Sequence, residues 1–288
     1  VDRALRLFIN TALMLPYRWR VPLMGKFAAY VVAPLAGYPA RIRANLAKVR
    51  PDLPESEIRR LCRAVPDNVG RTLIEIYSGA EFAAHARRSV ISGPGLAALE
   101  AAREAGRPVV LVTGHFGNYD AARAALIGQG HNMGALYRAM ANPYFNEHYV
   151  RAITAIGQPM FEQGKRGMIE MVRHLKSGGV LGILTDLHAP GGARTTFFGE
   201  VAKTSTVTAD LALKFDALLI PVYAVRQPSG LDFEIILQEP VPATDPETMT
   251  QAVNDGLENL VRAHMEQWFW IHRRWKTKAR PKKITQTD

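Results

Sequence analysis

Residues 108–120, Pro-Val-Val-Leu-Val-Thr-Gly-His-Phe-Gly-Asn-Tyr-Asp, decide the fold. Val109 to Val112 form an unbroken apolar run, the pattern of a strand covered on both faces rather than one with an alternating solvent side. Such strands belong to sheets layered between helices, and the flanking sequence supplies both. Upstream, Gly93-Pro94-Gly95 punctuates the chain before a helix over roughly 95–105. Downstream, the pattern predicts helix 118–128, strand 133–137, helices 143–156 and 166–176, strand 180–185, helix 205–215, strands 218–225 and 232–237, and a closing helix near 248–270. Strands alternating with helices predict an α/β fold with a mixed, mostly parallel central sheet covered by helices on both faces.

Ligands of such sheets sit beyond the C-terminal ends of the strands. The strand at 108–113 exits into Gly114-His115, and the strand at 180–185 exits into Asp186-Leu187-His188. A histidine at a strand exit, between glycines that let the backbone bend, is placed for a cleft rather than for a core. Asp120 falls in the first turn of the next helix, so a folded-back loop would let its carboxylate accept the Nδ1–H of His115 and leave Nε2 free as a general base. A helix-capping segment with an incidental imidazole is the alternative. No G-x-S-x-G elbow is present, and Cys62 lies in a helical arm, so no enzyme nucleophile accompanies the pair. The glycine-rich phosphate and dinucleotide loops are also absent, and His115 with Asp186-x-His188 lacks the ligand spacings of known metal motifs, so no cofactor or metal is expected.

The chain has 288 residues, 36 Lys+Arg and 26 Asp+Glu, for a net charge of +10. A single cysteine excludes an intramolecular disulfide framework and points to a reducing compartment. The charge is uneven: residues 1–50 hold nine Lys/Arg and one acid, and residues 271–283 hold seven Lys/Arg and none, whereas the middle is slightly acidic. If the fold joins these ends they make one cationic face for an anionic partner. The start is also apolar: Leu7 to Tyr17 and Phe27 to Ala40 are uncharged, divided by Arg18, Arg20 and Lys26 and bordered by aromatics. Neither stretch reaches the ~18–20 residues needed to cross a bilayer, and the pattern suits helices lying in the headgroup region. Pro16 and Arg18 to Arg20 interrupt the run and argue against a cleaved signal peptide. The expected organisation is an amphipathic membrane-associating segment over 1–40, then an α/β unit over 41–288, comprising a helical arm (41–92), a catalytic core (93–270) and a basic C-terminal segment (271–288). Nucleic acid is disfavoured as a partner because the basic ends adjoin apolar stretches.

Taken together, Gly114-His115-Phe116-Gly117-Asn118-Tyr119-Asp120, Tyr137-Arg138 with Asn142-Pro143, Asp186-x-His188, Phe197-Phe198-Gly199 and Trp270-Ile271-His272-Arg273-Arg274-Trp275-Lys276 resemble the late acyltransferases of bacterial lipid A biosynthesis. The H-x4-D/E element alone is shared with glycerolipid acyltransferases. The resemblance implies transfer of a fatty acyl chain from acyl carrier protein or coenzyme A to a hydroxyl of a phosphorylated lipid A precursor, at the cytoplasmic face of the inner membrane and without a cofactor. In that reading His115 and Asp120 are catalytic, and backbone N–H groups near Gly117-Asn118 or a cationic side chain are candidates for the oxyanion site. Asn118, Arg138, Arg151, Arg166, Asp186, His188, Arg273 and Arg274 are candidate substrate-binding residues. The family arginine after Asn-Pro aligns with Ile153, which makes Arg151 its candidate replacement, and Asp186 is expected to order an arginine or His188. A hydrolase using the same dyad on water, a different membrane glycolipid or a lysophospholipid as acceptor, and a non-enzymatic anionic-lipid-binding module are the competing readings.

Overall fold

The computed structural model of the chain describes residues 2–276. Helices α1 (Asp2–Leu13) and α2 (Tyr17–Phe27), a π-helical turn (Ala28–Val32), α3 (Ala33–Leu35), α4 (Tyr38–Val49), α5 (Glu55–Tyr77) and α6 (Ala80–Ala86) precede the sheet. Next come β1 (Val90–Ser92), α7 (Gly95–Glu104), β2 (Val109–Thr113), α8 (Tyr119–Gly128), β3 (Met133–Tyr137), α9 (Pro143–Ile156), β4 (Met160–Glu162), α10 (Lys165–Lys176) and β5 (Val180–Leu184). A hairpin of β6 (Ala193–Phe197) and β7 (Glu200–Thr204), then α11 (Val207–Phe215), β8 (Leu218–Arg226), β9 (Phe233–Leu237), α12 (Pro246–Ala263) and a 3-10 turn (Met265–Gln267) complete it.

Seven strands form the main sheet in the order β1-β9-β8-β2-β5-β3-β4. Every neighbouring pair is parallel except β8 and β9, so the α/β, mostly parallel architecture read from the pattern is the one adopted. All five residues of β2 are buried. Alternation of its side chains explains why: Val109 and Leu111 pack with Leu99, Ala121, Ala125 and Leu126 of α7 and α8, while Val110 and Val112 pack with Met171, Leu175, Ala209 and Val253 of α10, α11 and α12. Burying each such aliphatic side chain contributes about 1.5–3 kcal/mol, so neither face can be given up.

Several elements differ from expectation. The short edge strands β1 and β4 were not predicted, and neither was the β6–β7 hairpin, which forms around Phe198 and Gly199 at φ 54° and 75°. The closing helix stops at Ala263 rather than near 270, because Met265, Trp268 and Trp270 must turn inward: all three are buried, Trp268 bridges to Phe116, and Trp270 Nε1 donates to the Met265 carbonyl at 2.7 Å.

Within the first forty residues α2 is docked, not free. Val21 is buried against Ile74 of α5, and the buried Arg20 guanidinium donates to the carbonyls of Leu13 and Leu15, to Ser78 Oγ and to Glu81. Elsewhere in the same segment Leu7, Met14, Trp19, Leu23, Tyr30 and Leu35 are exposed. Among the described residues no single helix is long and apolar enough to cross a membrane; Tyr17–Leu35 and Tyr38–Val49 would suffice only as a pair, bent by 86°. The basic C-terminal segment enters the structure as far as Lys276, against α4: Asn45 Nδ2 donates to the carbonyls of Trp270 (2.6 Å) and His272 (2.7 Å). The rest of that segment, residues 277–288, lies outside the described residues.

Candidate active site

β2 and β5 are parallel neighbours in register, Thr113 opposite Leu184, and Thr185 N–H donates to the Thr113 carbonyl at 3.1 Å. Two strands that end level with each other place their next residues side by side. Asp186 is 2% exposed and collects three N–H donors: His115 Nδ1 on Oδ1 at 2.7 Å, and the His115 backbone N–H (2.8 Å) and Trp268 Nε1 (3.0 Å) on Oδ2. Burial alone would raise this carboxyl, but the charge and hydrogen bonds of His115, with the charge of Arg274, outweigh it and bring the group to about 2. An ionised carboxylate can only accept, so the proton of neutral His115 sits on Nδ1 and Nε2 is the basic nitrogen.

His115 Nε2 makes no hydrogen bond among the described residues. The ring lines a pocket of about 170 Å³ with Val69, Leu73, Ile76, Tyr119 and Phe269, an apolar enclosure beside a base. The loop carrying the histidine is held on both sides. Gly117 has φ +53°, and a Cβ there would overlap the Ala224 carbonyl oxygen, so only glycine fits. Its N–H donates to the Gln267 carbonyl at 2.9 Å, Phe269 N–H donates to the His115 carbonyl at 3.1 Å, and Thr72 Oγ1 donates to the Gly117 carbonyl at 2.8 Å. The Gly117 N–H is therefore spent within the fold and is not available to an oxyanion.

Asp120 does not meet His115. Asn118 caps α8 by accepting the Asp120 N–H at 3.1 Å, which sets Asp120 inside the first helical turn facing Arg123 one turn on. Both are buried, with Arg123 Nε donating to Asp120 Oδ1 at 2.7 Å. Arg123 also donates to the carbonyls of Gly157 (2.7 Å) and Ile153 (2.9 Å), bringing a guanidinium to the backbone of the position where the resemblance expects an arginine. The contact predicted between His115 and Asp120 is thus replaced by one with Asp186, whose expected partner had been an arginine or His188.

The remaining candidates scatter. Asn118 is fully buried; beyond its cap it donates to Glu75 at 2.8 Å, and Glu75 is clamped by both Arg226 Nη atoms, so it has no free face for substrate. Arg274 is 1% exposed and donates to the carbonyls of Leu187 and Lys203, to Thr204 Oγ1 and to Asn254 Oδ1, tying the β6–β7 hairpin to α12. It is a core residue, with both Nη atoms spent on these oxygens. Arg151 and Arg166 are exposed on α9 and α10 and pair with Glu147 and Glu170 one turn away. Arg138 and Arg273 are exposed without an ion pair among the described residues. His188 follows Asp186 but points elsewhere: burial and then the charges of Lys276, Arg274 and Lys203 lower its pKa, and its Nδ1 is buried without a partner.

Sequence reasoning passed over the residues that close the site. Trp268 supplies the third donor to Asp186, Phe269 walls the pocket, and His272 packs edge-on against His115 with ring centroids 5.3 Å apart. Burial first, then the neighbouring His115 ring and the charges of Arg41 and Lys276, push His272 down to about 4, with Asp186 opposing. The aromatic run Trp268, Phe269, Trp270, just ahead of the basic segment, was the available signal, because such bulky side chains need a core.

The model of the bacterial lipid A biosynthesis acyltransferase family matches residues 5–277. The chain is 33% identical over 115 residues to the lipid A biosynthesis lauroyltransferase of Escherichia coli, a match covering 38% of this chain and 37% of that relative. It is 23% identical over 248 residues to a phosphatidylinositol mannoside acyltransferase of Mycobacterium tuberculosis (83% of this chain, 78% of the relative) and 22% identical over 271 residues to a lipid A biosynthesis acyltransferase of Haemophilus influenzae (92% and 84%). A match over nearly the whole chain, with His115 at the central strand exit, leaves one assignment: the chain belongs to the bacterial lipid A biosynthesis acyltransferase family and is an acyltransferase.

Proposed function

We propose that the protein moves a fatty acyl group from the thioester of acyl carrier protein, or of coenzyme A, to a hydroxyl of a phosphorylated lipid A precursor. His115 Nε2 takes the proton from the acceptor hydroxyl, and Asp186 stabilises the imidazolium that forms. The hydroxyl oxygen forms its bond to the thioester carbonyl carbon, the C–S bond of the tetrahedral intermediate breaks, and His115 returns the proton to the departing thiolate. Asp120 has a structural part, holding Arg123. The observation that carries the reading is the His115–Asp186 pair, whose free Nε2 borders an apolar pocket. The exposed apolar residues between Leu7 and Leu35, interspersed with Arg18 and Lys26, support seating on an anionic membrane surface, which we take to be the cytoplasmic face of the inner membrane. Arg138 and Arg273 are the sequence-predicted cations still open to a phosphate.

Another membrane glycolipid is the second reading for the acceptor, because a relative matched over 83% of the chain is named for phosphatidylinositol mannoside. Mass spectrometry of lipids from a deletion strain separates the two: loss of one ester-linked chain from lipid A supports the first, and an unchanged lipid A with an altered glycolipid supports the second. Restoration of the missing chain by His115→Ala would defeat the proposed role of His115.

A further inference from the structure

A cleft of about 960 Å³ lies behind the His115 pocket and shares two wall residues with it, Asn68 and Gln267. The outer ridge of α5 forms its floor: Arg59, Arg63, Asp67 and Arg71 recur every fourth residue along one helix face. Six cations line it against two carboxylates, and both carboxylates are already engaged, Asp67 by Arg71 and Glu266 by Arg60. Two of the cations are not. Lys26 and Arg63 are exposed and make no ion pair or hydrogen bond among the described residues. The inner wall is charge-balanced, because Arg226 there is committed to the buried Glu75. A cavity with surplus positive charge and unspent donors is built for an anion with several acceptor oxygens.

The opposite wall comes from α2 and the π-helical turn, through Lys26 and Tyr30. Their neighbours Leu23, Phe27 and Val31 are exposed apolar side chains. An occupant therefore enters past a surface suited to hydrocarbon, which favours a lipid over a soluble protein. We propose that this cleft binds a phosphate monoester on the headgroup of the lipid acceptor, with Lys26 and Arg63 as its direct ligands. Asn68 and Gln267 then fix the distance between that phosphate and the hydroxyl presented to His115. The assignment rests on the acyltransfer reading only for which substrate carries the phosphate.

The test compares the full chain with Lys26→Ala/Arg63→Ala, after a thermal melt has shown that the variant folds. Flotation on phosphatidylcholine vesicles doped with phosphatidic acid should show affinity falling about tenfold or more, the scale of losing hydrogen bonds to a charged group. Vesicles of equal surface charge made with phosphatidylglycerol, a diester, should show a smaller loss. In the transfer assay the KM for the phosphorylated acceptor should rise about tenfold while the KM for the acyl donor holds. Unchanged binding to phosphatidic acid, or equal losses on the two vesicles, would overturn the site. A rise in the donor KM alone would give the cleft to the donor carrier and overturn the assignment to the acceptor. If no acceptor is acylated even by the unaltered protein, the acyltransfer reading fails, and the vesicle arm still decides whether the phosphate site exists.

Discussion

Replacing Asp186 by asparagine changes one atom and reverses a proton. The carboxylate accepts at both oxygens, from His115 Nδ1 on one and from the His115 backbone N–H and Trp268 Nε1 on the other. An amide has a single oxygen. Turned toward the two fixed donors, it satisfies both and points its NH2 at His115 Nδ1, which must then be the unprotonated nitrogen. The proton moves to Nε2, and the base is lost although the ring has not moved. The opposite orientation faces two buried N–H groups with an NH2, at a cost of about 1–3 kcal/mol for each unsatisfied donor, so the first should prevail. In a Ser-His-Asp triad the same inversion lowers kcat about 10⁴-fold, or roughly 5 kcal/mol of transition-state stabilisation, and we expect a loss of that order here. Asp120→Asn should instead keep kcat within about tenfold and lose about 1–3 kcal/mol of stability, because a buried Arg123 exchanges a charged partner for a neutral one. Initial rates of acyl transfer and urea unfolding on both variants measure the two effects. The reasoning is refuted if Asp186→Asn keeps wild-type kcat, or if Asp120→Asn falls as far as His115→Ala.

Three other outcomes follow from particular contacts. Gly117→Ala combines a positive φ with overlap on the Ala224 carbonyl, so it should be insoluble or lose several kcal/mol of stability, checked by expression yield and thermal melting. Arg274→Ala removes four hydrogen bonds from a buried guanidinium and should destabilise by about 3–5 kcal/mol, whereas Arg273→Ala should stay within about 0.5 kcal/mol in urea titration. His272 is lowered from 6.5 to about 4, so between those values the unfolded chain binds more protons than the folded one, and stability should fall as pH drops from 6.5 to about 4. His272→Phe should flatten that part of the melting profile without altering it above neutrality.

The central strands, the histidine at a strand exit and the layered sheet were legible because each leaves a local mark: an apolar run, a glycine, a switch from period 2 to 3.6. The partner of His115 left none, since Asp186 lies 71 residues away and only the pairing of β2 with β5 joins them. Proximity in the chain favoured Asp120, five residues on, yet helix geometry turned it toward Arg123. Counting charge misled for Arg274 in the same way. It contributes to the basic end, but the hydroxyl and carbonyl oxygens around it, from three separate segments, take it into the core. The hairpin was obscured by Phe197-Phe198-Gly199, which reads as a loop although Arg194 to Thr196 and Val201 to Lys203 alternate in burial around it.

The central claim is direct attack by an activated hydroxyl with no acyl group ever held on the protein. Intact-protein mass spectrometry, on enzyme mixed with acyl carrier protein loaded with a fatty acyl chain and then given a phosphorylated lipid A precursor, measures this. The account predicts an unchanged protein mass before and after the acceptor is added, one acyl chain gained by the acceptor, and no gain with His115→Ala. A protein heavier by one acyl group before the acceptor arrives, or free fatty acid released without it, would contradict the account.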